Sequence, residues 1–342
     1  MTLTGLQLLR CMGCLFVLQA HINRDHMVGF FSLDVFFLIS GFVMALLITR
    51  PKQTQDRFIK DRIARVLPMI WPLTLAVFVL AMVTPSLMNS TTPNPVNLLK
   101  SLFFIPYYKE NGVISPILPV AWTLNYEILF YGFCALSFLV RVPKRLAVVT
   151  AAMLAVYGVA HLFKGSGAAA EFYSSYYMLE FPAGMIIWAL YQRYGQVSLP
   201  KIPGLIAIIG LIVLMTYADA RWNGVVDRLW LFAGPSMLLV WLALLYEPHI
   251  GKGPLIRLGV LLGDASYSIY MTHVFVVEFL RKILPRLIDG FELHSLPGLV
   301  TGMVLSLLVG VLIDLYFYKP AVTVFSNWLR ARRPLAMTVA KA

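Results

Sequence analysis

Charged side chains are scarce in this 342-residue sequence. Asp, Glu, Lys and Arg together make up 13% of the residues, whereas about a quarter is usual in soluble domains. Apolar residues reach 59%, and the mean hydropathy is +0.78. This composition excludes an ordinary soluble domain and predicts an all-α chain that crosses a membrane several times. In such a chain the net charge of +12 indicates topogenic loops, and we expect no nucleic-acid partner.

Cysteine is also scarce, and metal-site spacings are missing. The three cysteines, Cys11, Cys14 and Cys134, all lie in apolar stretches, so neither a disulfide framework nor a redox motif is indicated. No group of His, Cys, Asp and Glu has the spacing of a metal site. We therefore expect no metal.

Ten apolar segments, each bounded by charge, proline or glycine, are candidate membrane-spanning helices. They cover residues 5–23, 30–49, 66–84, 118–140, 146–163, 176–191, 203–218, 229–246, 262–281 and 297–318. Lys and Arg are about twice as frequent in the loops on the side of the N-terminus as in the opposite loops. The positive-inside rule then places both termini in the cytoplasm. We predict a transmembrane domain over residues 1–320 and a short basic cytoplasmic tail over 321–342.

Eight ionisable residues interrupt these segments, where each charge costs about 2.5–3.5 kcal/mol on insertion scales unless it has a partner or a function. They are Arg10, His21, Asp34, Glu127, Glu180, His273, Glu278 and Asp314. Arg10 and His21 are eleven residues apart, which places them on one face of the first helix, about 16 Å apart along its axis. With the N-terminus inside, this face can contact both ends of one long ligand.

Asp34 is expected at a depth similar to that of His21, four or five residues inside the second helix. A carboxylate beside an imidazole fixes the tautomer of the ring and supports its cationic form, as a general base requires. The sequence leaves two interpretations open. The pair is either catalytic, or it is structural and joins a helical hairpin.

The basic run from Arg50 to Arg65 is predicted to be a cytoplasmic loop that enters the third helix. Its simplest role is to set topology and to contact anionic membrane lipids. Arg62 and Arg65 are one helical turn apart, which is alternatively the spacing for gripping the phosphates of a nucleotide-like donor.

Two further helices carry polar residues that require partners. In the fourth, Trp122 lies near the outer interface and Glu127 lies deeper. Glu127 is expected to pair with a donor on another helix, either Arg10 or His273. In the ninth, a polar stripe that includes His273 indicates either interhelical hydrogen bonds or a ligand site.

Five motifs follow one another between residues 9 and 273. They are Leu9-Arg10 with ten residues before His21, Leu33-Asp34-Val35-Phe36-Phe37-Leu38-Ile39-Ser40-Gly41-Phe42, Arg62-x-x-Arg65-x-x-Pro68, Ala121-Trp122-Thr123-Leu124-x-x-Glu127-x-x-Phe130-Tyr131, and Ser266-Tyr267-Ser268-Ile269-Tyr270-x-x-His273. The ordered set resembles acyltransferase family 3, a group of integral membrane acyltransferases that includes bacterial polysaccharide O-acetyltransferases. The sequence departs from the family at Ser32 and Leu33, where glycine is frequent.

The resemblance implies a ten-helix enzyme of the bacterial inner membrane. Such an enzyme takes an acyl group, commonly acetyl, from cytoplasmic acyl-CoA and passes it to a sugar hydroxyl of a surface or lipid-linked glycan. It also implies a set of site residues: Arg10, Arg62 and Arg65 for the donor, His21, Asp34 and Glu127 for catalysis, and Trp122, Tyr131, Ser266, Tyr270 and His273 for the substrate.

Two other functions remain compatible with the sequence. A transporter or flippase for a lipid-linked sugar also uses intramembrane carboxylates and histidines, although no internal repeat of the kind common in transporters is visible. An acyltransferase that modifies a small lipid, a peptide or an antibiotic is the second. Binding or hydrolysis of acetyl-CoA discriminates the transporter from both enzymes. The sequence does not specify the oligomeric state.

Overall fold

The computed structural model describes residues 3–23, 29–88, 91–195, 197–222 and 228–331. Within these ranges the protein is helical and has no β-strand. The helices are α1 (Thr4–Ile22), α2 (Phe31–Ile48), α3 (Gln55–Val83), α4 (Pro95–Leu102), α5 (Trp122–Leu136), α6 (Val142–Leu162), α7 (Ala168–Tyr173), α8 (Tyr177–Tyr194), α9 (Lys201–Ala220), α10 (Gly234–Tyr246), α11 (Pro254–Asp264), α12 (Ser266–Lys282), α13 (Leu296–Ile313) and α14 (Lys319–Ala331). Each of the ten predicted segments overlaps one of the longer helices.

Seven helical stretches among the described residues are long and apolar enough to cross a membrane. They are α1, α2, α3, α6, α9, Leu229–His249 and Leu296–Ala331. The pair formed by α11 and α12 is bent by 74° and makes an eighth if it counts as one span. The all-α membrane fold is thus confirmed, whereas the ten crossings and the cytoplasmic location of both termini stay predictions.

Helix α3 begins eleven residues earlier than the sequence indicates. The predicted loop over residues 50–65 is helical from Gln55 onward, and the Thr54 hydroxyl caps it by accepting a hydrogen bond from the Arg57 backbone N–H at 3.3 Å. Arg57 and Asp61, at i and i+4, form an ion pair of 3.8 Å. Capping and pairs of this spacing stabilise a polar helical extension. The basic residues therefore project from a helix.

Helix α14 continues the last apolar stretch and packs along α3. The Arg330 guanidinium donates to the Asp61 carboxylate at 2.8 Å. Just before α14, the Tyr318 hydroxyl donates to the Arg65 carbonyl oxygen at 2.9 Å. These contacts bind the first half of the predicted tail to the helix that carries the basic run. Residues 332–342 of that tail lie outside the described residues.

Helices α2 and α8 approach each other closely at two glycines. A Cβ atom added to Gly41 would lie 2.2 Å from the carbonyl oxygen of Phe181, and one added to Gly184 would lie 2.1 Å from that of Leu38. Only residues without a side chain allow this separation of the two backbones. The contact fixes which face of α2 is turned toward α8.

Helices α1 and α12 run side by side in the same direction. The Cys14 thiol contacts the Ser266 carbonyl oxygen at 3.5 Å, and the rings of His21 and His273 have centroids 4.7 Å apart. The two contacts are seven residues apart on each helix, which requires a parallel pair. The polar stripe of α12 thereby follows the face of α1 that carries Arg10 and His21.

Candidate active site

A cavity of about 390 Å³ lies between α1, α2, α3, α5 and α12. Four arginines line it: Arg10, Arg50, Arg62 and Arg65. Among the described lining residues, Glu127 is the only carboxylate. Four guanidinium groups against one carboxylate favour an anionic ligand in this cavity.

The cavity is elongated along α2. Its lining residues on this helix run from Leu33 to Leu47, and fourteen residues of α-helix span about 21 Å. Arg50, just after α2, marks one end, which we call the arginine end. Phe36 and Tyr270 lie toward the other, which we call the far end. The cavity therefore suits a long anionic ligand.

Aromatic rings support two of the arginines. The Arg62 guanidinium lies 6.0 Å from the ring centroid of Phe58 and 5.7 Å from that of Tyr131, and the Arg65 guanidinium lies 6.0 Å from that of Tyr267. Ring faces attract a cation without occupying its N–H donors. The buried Nε of Arg62 has no hydrogen-bond partner among the described residues. The two rings thus hold the Arg62 guanidinium in place, and its Nε–H group can donate a hydrogen bond to a ligand.

Glu127 is bound by hydroxyl groups. Its Oε1 accepts hydrogen bonds from Ser40, at 3.2 Å, and from Tyr131. The expected partner Arg10 interacts with it through space, although the described residues include no ion pair to Glu127. The other expected partner, His273, faces His21 instead. Glu127 therefore places a carboxylate in the middle of the cavity.

His21 and His273 form an edge-to-face pair, with an angle of 79° between the rings. The Nδ1 of His21 is 2.9 Å from the Val17 carbonyl oxygen, and the Nδ1 of His273 is 2.7 Å from that of Tyr270. A carbonyl oxygen only accepts hydrogen bonds, so each neutral ring carries its proton on Nδ1. The basic atom of both rings is then Nε2.

The histidine pair lies just beyond the far end of the cavity. Tyr270 lines the cavity, whereas neither histidine does. Tyr270 precedes His273 by one helical turn, and their ring centroids are 5.8 Å apart. The Tyr270 hydroxyl donates to the Val120 carbonyl oxygen at 3.1 Å. Tyr270 therefore stands between the cavity and the pair.

The predicted pairing of Asp34 with His21 is wrong. Asp34 is fully buried beside Glu180 and close to Arg228, and within the described ranges no hydrogen bond or ion pair joins it to His21. Two features of the packing separate them. Asp34 lies on the face of α2 that packs on α8. The expected match in depth is also wrong, because Phe36, two residues after Asp34, packs on Gly13 of α1, and His21 is eight residues, about 12 Å, further along that helix.

The structure places the predicted substrate residues in two groups. Tyr131, Ser266 and Tyr270 line the cavity, together with the predicted donor residues Arg10, Arg62 and Arg65. His273 and Trp122 do not line it. The Trp122 ring packs in an aromatic cluster with Phe37, Tyr126, Phe172 and Tyr177.

Three other lining residues, Phe36, Ser40 and Arg50, are not among the site residues predicted from the sequence. Phe36 and Ser40 are four residues apart and so share a helix face. This spacing could have indicated that Phe36 and Ser40 face one site, but side chains that only pack against a neighbouring helix have the same spacing. Arg50 belongs to the basic run, in which only the spacing of Arg62 and Arg65 points to a site.

Comparisons with known proteins identify the family of the chain. A family model described as an acyltransferase domain matches residues 3–315. The chain is 33% identical over 260 residues to the exopolysaccharide production protein ExoZ of Rhizobium meliloti, covering 75% of this chain and 78% of ExoZ. It is 24% identical over 320 residues to the O-acetyltransferase OatA of Staphylococcus aureus, covering 82% of this chain and 51% of OatA. No solved structure matches the chain.

Proposed function

The chain belongs to this family of acyltransferase domains, and from that premise we propose that it moves an acetyl group from cytoplasmic acyl-CoA to a sugar hydroxyl of a surface or lipid-linked glycan in the bacterial inner membrane. The names of ExoZ and OatA support an exopolysaccharide acceptor and O-acetyl transfer. The observation that carries the proposal is the arginine-lined cavity, whose far end lies one helical turn from a pair of basic histidine nitrogens.

The arginines suit the nucleotide end of acyl-CoA. This donor carries several phosphate charges at one end and an activated thioester at the other, joined by a long pantetheine arm. Arg62 and Arg65 bind the phosphates, with Arg10 deeper along the arm and Arg50 at the arginine end. Hydrogen bonds to charged groups contribute roughly 1.5–3 kcal/mol each, which makes the phosphates the main source of affinity.

The middle of the cavity suits the pantetheine arm. The amide N–H groups of the arm need acceptors once they leave water, because an unsatisfied buried donor costs about 1–3 kcal/mol. Glu127 supplies acceptor oxygens there, and Ser40 and Tyr131 orient its carboxylate. In this position Glu127 also offsets part of the arginine charge.

His21 acts as the general base. Its Nε2 removes the proton from the acceptor hydroxyl as the hydroxyl oxygen attacks the thioester carbonyl carbon. The carbon–sulfur bond then breaks, the acyl group remains on the sugar oxygen, and the CoA thiolate takes up the proton that His21 received. His273 positions His21 by the ring contact of 4.7 Å.

Two predicted site residues act through packing in this proposal. Asp34 fixes the orientation of α2 through its contact with Glu180 on α8. Trp122 holds the start of α5 in the aromatic cluster, so that Thr123 and Glu127 face the cavity. Both are positioning residues.

The function is tested by mass analysis of surface glycans from cells with and without the gene. A difference of one acetyl mass per modified sugar is expected, restored by the wild-type gene and by His161→Ala but not by His21→Ala. His161 is the matched control because it is a histidine at the end of α6 whose ring packs on Tyr157 at 4.8 Å. Identical glycans in the two strains, with no binding of labelled acetyl-CoA by the purified protein, would favour a transporter.

A further inference from the structure

Four side chains at the far end of the cavity, Leu33, Phe36, Thr123 and Tyr270, form what we call the end wall. They come from α2, α5 and α12. The rings of Phe36 and Tyr270 lie side by side, with centroids 6.4 Å apart. The end wall is therefore apolar in its centre, in contrast to the charged arginine end.

The two rings of the end wall are held in place. The Tyr270 hydroxyl is tied to the Val120 carbonyl oxygen at 3.1 Å. Phe36 is pressed against α1, because a Cβ atom added to Gly13 would lie 2.9 Å from its ring carbons. Close-packed interiors resist displacement of such groups. The depth of the cavity is thus set by two rings with little room to turn.

The acyl group of a bound donor has to reach this wall. The proposed function places the phosphates toward the arginine end, and the thioester carbonyl must come within reach of a hydroxyl that His21 deprotonates. His21 lies eight residues beyond Gly13 on α1, about 12 Å along the axis, and its ring leans back toward Val17. The reacting carbon is then at the end wall, with the rest of the acyl group against the rings.

We propose, on the basis of the function proposed above, that the end wall limits the donor to short acyl groups and that Phe36 is the residue that sets this limit. An acetyl group ends at its methyl, whereas each further methylene occupies space that the rings of Phe36 and Tyr270 fill. Of these rings, Phe36 has no hydrogen bond to replace. It is the one whose truncation opens the wall with the least other change.

The test measures donor binding and needs no acceptor. The purified full-length protein in detergent is titrated with CoA, acetyl-CoA, butyryl-CoA and hexanoyl-CoA, and the same series is run on Phe36→Ala and Phe36→Leu. Phe31→Leu is the matched control, because Phe31 lies on the same helix but packs against Phe16, at 5.1 Å, away from the cavity. The readout is the Kd of each acyl-CoA divided by the Kd of CoA in the same protein, which cancels any loss common to all ligands.

In the wild type this ratio is expected to rise from acetyl-CoA to hexanoyl-CoA. In Phe36→Ala it should fall with chain length, by about fourfold for each methylene that enters the new space, while Phe31→Leu keeps the wild-type order. Unchanged ratios in Phe36→Ala, or a wild type that binds hexanoyl-CoA as tightly as acetyl-CoA, would overturn the inference. If Phe36→Ala fails to bind CoA, the inference is judged from the Kd ratios of Phe36→Leu in the same way. A wild type that binds none of the four ligands would instead overturn the proposed function.

Discussion

Replacing Arg62 by Ala tests directly whether the cavity binds a CoA phosphate. The Arg62 guanidinium rests on the rings of Phe58 and Tyr131, and its Nε lacks a hydrogen-bond partner in the described part of the protein. Truncation therefore breaks no hydrogen bond at Nε within the described protein. The expected consequence lies in ligand binding, because the removed donors are the ones left available to an anion.

The magnitude follows from the kind of bond that is lost. A hydrogen bond to a charged group contributes roughly 1.5–3 kcal/mol, so the Kd for CoA should rise about 10- to 150-fold in Arg62→Ala. The Michaelis constant for acyl-CoA should rise by more than the turnover at saturation falls, because the phosphates are bound equally in the ground state and in the transition state. Direct titration of the purified protein with CoA measures the first quantity.

Arg57→Ala is the matched control. It removes the same charge from the same helix, but the Arg57 side chain is 61% exposed, pairs with Asp61 and does not line the cavity. We expect its Kd for CoA to change less than about twofold, since exposed pairs contribute little. An equal loss of affinity for CoA in the two variants would mean that the effect comes from the overall positive charge of this surface and not from a specific contact of Arg62. An unchanged Kd in Arg62→Ala would refute phosphate binding at this position.

Three further variants, and a control for the third, test other parts of the site and the fold. His21→Ala should lower turnover by about 10²–10⁴-fold with CoA binding retained, and near-normal acyl transfer would shift the base to another residue. Glu127→Gln should reduce turnover by more than it reduces thermal stability; full activity would remove the carboxylate from the mechanism. Gly184→Ala should lower the free energy of unfolding by about 1–3 kcal/mol, because its Cβ would meet the Leu38 carbonyl oxygen at 2.1 Å. Gly158→Ala on α6 is the control, because a Cβ atom added there would have nothing within 4 Å. It should be neutral or stabilising by up to about 1 kcal/mol in the same melting experiment. Equal melting temperatures of the two variants would argue against the α2–α8 contact.

The helices, and the presence of Arg62 and Arg65 in one cavity, were predictable from the sequence. Apolar runs long enough to span a bilayer coincide with helices because backbone groups in hydrocarbon must be satisfied within the segment. The one-turn spacing of Arg62 and Arg65 places both side chains on one face of α3, independently of how the other helices pack. The start of α3 was not predictable from hydropathy, since charged residues dominate its first eleven positions and a capping hydrogen bond and ion pairs help to stabilise them.

Which side chains meet was decided by tertiary structure alone. The rise of 1.5 Å per residue converts sequence position into depth along one helix, but packing sets how far α2 is shifted along α1. That shift places Phe36, two residues after Asp34, against Gly13 and not against His21. Whether two side chains touch depends also on how each helix is rotated about its axis, which is set by packing. The close approach at Gly41 and Gly184 turns the Asp34 face of α2 toward α8, and the parallel packing of α12 on α1 brings His273, instead of Asp34, to His21.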